Sequence, residues 1–140
     1  MRIGYGSQRF SEDLDFDNWG LTPEEFEVIT EKVKQDLLGE GYEVEIRHIY
    51  KGAFHCIIKI PQLLFDNELA SMATEKLTIK IDTVAQGIEY QPEVKVLQQF
   101  GIISPYKIAA QNVLLSMKLS AFFERVKGRD LFDIVYLLSL

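Results

Sequence analysis

Asp13 and Asp15 alternate with Leu14 and Phe16 in the stretch QRFSEDLDFDNWG. In an extended segment successive side chains point to opposite faces, so Ser11, Asp13, Asp15 and Asp17 project one way and Leu14 and Phe16 the other. Asp13 and Asp15 then stand about 7 Å apart along one strand face, with Leu14 and Phe16 expected as buried anchors. Carboxylates that close repel each other unless a cation lies between them. An all-oxygen site suits hard divalent ions, Mg2+ or Mn2+. Alternation points Glu12 to the opposite face. Asp17 shares the right face but reads as a solvated acid near a turn at Gly20. The competing reading of the whole stretch is a polar turn whose acids sit in water.

Two further groups could complete such a site. In KLTIKIDTVA, Leu77, Ile79 and Ile81 form one face of a strand, while Thr78, Lys80 and Asp82 form the other. If this strand neighbours the first, three carboxylates from two strands can hold metal ions for phosphoryl or nucleotidyl transfer. If it does not, Asp82 is a strand-end acid in solvent, and the sequence leaves both open. Near the C-terminus, Lys118 and Arg125 lie two helical turns apart and share a face. Arg129 and Asp133 fall on nearly the same stripe if the helix continues, and can still converge if Gly128 breaks it. Cations of this kind suit a triphosphate, because a metal takes some phosphate oxygens and lysine or arginine neutralises the rest. The alternative is an ordinary amphipathic helix with solvated Lys and Arg and with Leu119, Phe122 and Phe123 packed inward.

Other chemistries find little support. His48 and His55 lack ligand spacing to each other or to Cys56, and read as strand-face residues. The chain has no G-x-x-x-x-G-K-[ST] loop, and Gly4 and Gly6 are too few for a dinucleotide fingerprint. One cysteine excludes an internal disulfide framework and a cysteine-rich zinc site.

The elements that must carry these residues follow from pattern. Thr22 and Glu25 form a capping box, Pro23 takes the first helical position, and Phe26, Ile29, Val33 and Leu37 keep helical spacing up to stop signals at Gly39 and Gly41. EVEIRHIY and AFHCIIKI alternate around a tight turn at Lys51-Gly52, and Pro61 ends the second strand. An irregular or helical crossing leads to the strand LTIKIDTVA. A long helix is expected from about Tyr106 to Glu124, with Gly128 breaking it and Asp130 starting another. The order predicts an α+β fold with helices gathered toward the C-terminus.

At 140 residues and 47% hydrophobic content the chain suits one globular domain with a real core. Its net charge of −6 argues mildly against an autonomous nucleic-acid-gripping module, though not against a local basic site. No apolar run approaches the roughly 20 residues of a membrane span, and no signal peptide precedes the first acids.

Three blocks, YGSQRFSEDLDFD, IKID and MKLSAFFERVKGRDLFDIVYLL, together resemble the AbiEii/AbiGii-type nucleotidyltransferase toxins of the DNA polymerase beta-like nucleotidyltransferase superfamily. The resemblance implies a small mixed sheet flanked by helices, forming a single domain over residues 1–140 with a sheet part over about 1–105 and a helical part over about 106–140. It makes Asp13 and Asp15 the paired metal-binding aspartates and Asp82 the third carboxylate, which acts with the metal to activate an attacking hydroxyl. It assigns Ser11, Lys118, Arg125, Arg129, Asp130 and Asp133 to nucleotide binding. The implied chemistry uses Mg2+ or Mn2+ and an NTP, with an acceptor such as the 3′ end of tRNA. The implied setting is a cytoplasmic toxin–antitoxin or phage-defence pair with a cognate antitoxin. Members of this family carry a Gly-Gly-Thr-Ala-Leu-type turn before the acidic block, of which RIGYG resembles only the tail, and they continue beyond IVYLLSL into further helices. The domain is therefore expected to be incomplete at both ends, with apolar surface there favouring homo-oligomers. Two other functions compete: a truncated, non-catalytic homologue acting as an interaction module, and a metal-dependent phosphohydrolase or nuclease. The Lys/Arg block suits a triphosphate better than simple hydrolysis.

Overall fold

The computed structural model describes residues 1–11, 13–99 and 101–140, so the expectation for Glu12 lies outside the described residues. The fold is mixed α+β. In chain order its elements are α1 (Arg2–Tyr5), β1 (Asp13–Asp17), α2 (Pro23–Gly39), β2 (Glu45–Tyr50), β3 (Phe54–Ile60), α3 (Leu63–Asp66), β4 (Leu77–Val84), β5 (Glu93–Gln99), β6 (Ile102–Ile108), α4 (Gln111–Arg125) and α5 (Gly128–Leu138). Residues 11–87 form one unit, and residues 1–10 with 88–140 form another.

The 11–87 unit is a four-stranded sheet in the order β1-β4-β3-β2. β1 runs parallel to β4, while β4, β3 and β2 pair antiparallel. Alternation sends Cys56, Ile58 and Ile60 to one face, where they meet Phe26 and are flanked by Val33, Leu37, Ile46, Phe54, Leu77, Ile79 and Ile81. The capping box forms as expected, with Thr22 Oγ1 accepting from Glu25 N at 3.2 Å and Glu25 Oε2 accepting from Thr22 N at 2.9 Å. Thr22→Ala is expected to cost about 1 kcal/mol, measured as a lower denaturation midpoint. Gly52 takes the positive φ of 73° that the β2–β3 turn needs.

Two expectations for this unit need correction. Leu14 and Phe16 are not buried anchors: they are 37% and 56% exposed. They do share the core face, since Leu14 pairs with Ile81 and Phe16 with Thr83. But β1 is an edge strand, and α2 makes its main sheet contacts with β2 and β3, so these two side chains are only partly covered. Ile29 is likewise exposed. Thr30 takes the inward place on α2, its hydroxyl donating to Phe26 O at 2.9 Å so that no polar group is stranded.

In the other unit, β5 and β6 form an antiparallel ribbon. Tyr106 therefore lies in a strand, and the helix expected from there begins only at Gln111. Pro105 is tolerated because each strand of a two-stranded ribbon has a free edge. Tyr5 Oη donates to Ala109 O at 2.8 Å, and Tyr136 Oη donates to Tyr5 O at 2.7 Å, tying α1 to both the end of the ribbon and α5. α4 ends at Arg125, Val126 adopts a left-handed conformation (φ 46°), and Gly128 opens α5 instead of separating two helices from outside. Among the described residues no helix is long and apolar enough to cross a membrane.

Candidate functional site

The parallel register of β1 and β4 makes the strands that carry Asp82 and the first acids direct neighbours. Asp15 is the direct partner of Asp82, and Asp13 that of Lys80. Partners on neighbouring strands lie about 5 Å apart and project to the same side, so Asp13, Asp15 and Asp82 share the sheet face opposite α2. Asp17 shares it too and is half-buried, less solvated than expected.

The carboxylates on this face differ in their surroundings. Asp13 Oδ1 is buried and accepts no hydrogen bond among the described residues, with Lys80 Nζ 3.6 Å away. Asp82 Oδ1 lies 2.8 Å from Nδ1 of His55, its partner across β3 and β4. Ser11 is exposed, and its hydroxyl donates to Asp13 O at 3.3 Å. Among the described residues no three His, Cys, Asp or Glu side chains stand close enough together to hold a metal ion. The donors on offer are all carboxylate oxygens, the type a hard divalent cation takes; the three aspartates share one face, and Asp13 Oδ1 is buried without a hydrogen-bond donor among the described residues.

In the unit of residues 1–10 and 88–140, the C-terminal cations Lys118 and Arg125 are each held by an acid of α5. The buried stripe of α5 is Asp130, Asp133, Ile134 and Leu137, so aspartates occupy two places where a core helix normally carries apolar residues. Both are 0% exposed. Charges so buried persist only when paired and hydrogen-bonded. Asp133 receives Arg9 Nε at 3.0 Å on Oδ1 and Arg9 Nη2 at 3.2 Å on Oδ2, while Lys118 Nζ lies 2.8 Å from Oδ2. Asp130 receives Arg125 Nη2 on Oδ1 at 2.6 Å and Arg125 Nε on Oδ2 at 2.8 Å. Lys118 and Arg125 are therefore each paired with a buried acid, Lys118 largely sheltered and Arg125 still 41% exposed. Leu119 and Phe123, conversely, are exposed rather than packed inward. Arg129 is exposed at the start of α5.

These pairs fix the acidic limb of stability. The hydrogen bond from Arg125 holds the Asp130 carboxyl below the usual carboxylate range, against the opposing effect of burial. For Asp133 burial is the largest influence and pushes the pKa up, but the hydrogen bonds from Arg9 and Lys118 outweigh it and leave the carboxyl depressed. A depressed carboxyl contributes stability that is fully present above its unfolded value of about 4 and is lost as pH falls through the folded value. Thermal midpoints should thus hold between pH 7 and 5 and fall below about pH 4, with a shallower fall in Asp130→Asn. An acid slope identical in that variant would remove the assignment.

Sequence reasoning passed over two residues. Arg9 stands inside the acidic block, and its signal was a lone arginine just before so many acids. His55 was read as a strand-face residue, yet the alternation that buries Cys56 puts His55 on the same face as Asp82.

A family model described as "Nucleotidyl transferase AbiEii toxin, Type IV TA system" matches residues 1–140. Among solved structures, the chain is similar to the one described as "Crystal structure of JHP933 from Helicobacter pylori", with 25% sequence identity and a TM-score of 0.55. That match covers 96% of this chain and 53% of the other, so the chain spans about half the length of the protein it resembles. No curated protein matches it.

Proposed function

The chain belongs to the AbiEii nucleotidyltransferase toxin family of type IV toxin–antitoxin systems, and on that premise we propose that it moves a nucleotidyl group from an NTP to an acceptor such as tRNA. The observation that carries this reading is the placement of Asp13, Asp15 and Asp82 on one face of two adjacent parallel strands. These carboxylates would hold Mg2+ or Mn2+. When bound, such an ion neutralises charge on the triphosphate and lowers the pKa of the attacking hydroxyl. Asp82 would act with such an ion to activate the attacking hydroxyl. Lys118, Arg125 and Arg129 serve the phosphates of the nucleotide, and Ser11 supplies a hydroxyl donor. Asp130 and Asp133 support this role indirectly, since each spends its carboxylate fixing a cation. The family implies a cognate antitoxin, and the work of such a pair belongs in the cytoplasm.

The test incubates the chain with labelled NTPs, Mg2+ and total tRNA, beside an Asp13→Asn/Asp15→Asn double variant. Label transferred by the wild type and not by the variant supports the reading. Equal labelling by both, or by neither, counts against it.

A second reading has its own observation. Leu131, Val135 and Leu138 on α5 and Phe123 on α4 are all exposed, which would suit a non-catalytic homologue that self-associates or binds a partner through apolar surface. In that case neither protein labels tRNA, and light scattering reports a species larger than the monomer.

A further inference from the structure

We infer that His55 is a positioning residue, which holds the Asp82 carboxylate on the face it shares with Asp13 and Asp15 and so supports metal binding there. The inference rests on the metal-binding reading of the aspartates given above. His55, Asp82 and Asp15 form one row across β3, β4 and β1: His55 is the cross-strand partner of Asp82, and Asp82 that of Asp15. An ionised carboxylate only accepts hydrogen bonds, so the 2.8 Å contact between His55 Nδ1 and Asp82 Oδ1 assigns the ring proton to Nδ1. Asp82 needs such a tether. It faces Asp15 directly, and like charges that close push apart. The lysine two residues before it on the same face, Lys80, is directed at Asp13. His55 binds one oxygen of Asp82 and leaves the other for a ligand, and the ring is held on β3, a central strand, instead of on a loop. Partners that orient a metal ligand without touching the metal commonly change metal affinity by about 10–100-fold when removed.

The same contact could simply stabilise the strand pair, so the test separates the two roles. Mn2+ alone is titrated into the full chain and free ion is read by electron paramagnetic resonance, with a thermal melt of each variant alongside. The variants are Asp82→Asn, His55→Phe and His55→Asn, the last because its amide N–H sits near the place of imidazole Nδ1. The expected result is Mn2+ binding weakened about tenfold or more in Asp82→Asn and His55→Phe, recovery to within about threefold of wild type in His55→Asn, and similar melting throughout. Should His55→Phe fail to fold, His55→Gln replaces it, since its amide lies nearer the place of Nε2. Wild-type Mn2+ affinity in the variant without the Nδ1 donor, beside a weakened Asp82→Asn, overturns the positioning role and leaves the metal reading intact. Binding by His55→Asn as poor as in that variant overturns it too, because the N–H would then be irrelevant. Undiminished binding by Asp82→Asn removes the metal reading and this inference with it.

Discussion

The Asp13→Asn/Asp15→Asn variant should lose at least about 10³-fold in Mg2+-dependent label transfer, about 4 kcal/mol of transition-state stabilisation, while its fold is retained. The direction of the stability change is what makes this informative. Asp15 stands directly across from Asp82, and Asp13 sits two residues along the same face. Removing two of the four aspartate charges on that face relieves repulsion, so the variant should melt no lower than wild type. One opposing effect is the loss of a countercharge for Lys80, whose side chain is half exposed and whose pairing with Asp13 is correspondingly weak. Activity and stability should therefore move in opposite directions. A variant that lost both together would mean that the carboxylates serve the fold, and a variant that kept full transfer would mean that the chemistry lies elsewhere.

Much of this face was legible from alternation alone. The pattern D-L-D-F assigned Asp13 and Asp15 to one side, and L-T-I-K-I-D assigned Asp82 to the side away from Ile79 and Ile81. What alternation could not supply was the pairing of β1 with β4. A parallel partner 67 residues away, as Lys80 is from Asp13, leaves no mark in either segment, because the contact is made by backbone groups that every residue possesses. The same gap explains Leu14 and Phe16. Their face follows from period 2, but whether a helix covers that face depends on strand order, and β1 lies at the edge. The missed ribbon has a different cause. VKVLQQ and IISPYKI are short and carry mixed signals, and Pro105 followed by apolar residues reads as easily as a helix entry as it does a free-edge strand. Asp130 and Asp133 show a conflict between two rules. Periodicity put them on the stripe of Ile134 and Leu137, while their charge argued for solvent. Periodicity prevailed because Arg9, Lys118 and Arg125 were there to pair with them.

Those pairings predict the largest stability effect in the unit that contains them: Asp133→Ala should lower unfolding free energy by about 3 kcal/mol. The carboxylate is fully buried and joins three separate pieces of chain, the segment before β1 through Arg9, α4 through Lys118, and α5 itself. Removing one partner of a fully buried ion pair costs about 3–5 kcal/mol because the remaining charge is stranded. Here the cations keep a route to water, with Arg9 30% and Lys118 22% exposed, which places the cost toward the lower end. Against a total of about 5–15 kcal/mol such a loss is large, and urea unfolding at pH 7 would show it as a clear fall in midpoint. Lys118→Ala should cost less, because Asp133 retains its two-pronged contact with Arg9. If the two substitutions cost the same, the arginine contact carries no weight and the lysine pair alone holds the aspartate. If Asp133→Ala costs under about 0.5 kcal/mol, within the range of ordinary surface changes, the aspartate is not what keeps the cations of α4 and the N-terminal segment in place. Their position, and any use they have for a nucleotide, would then have to be set by other contacts.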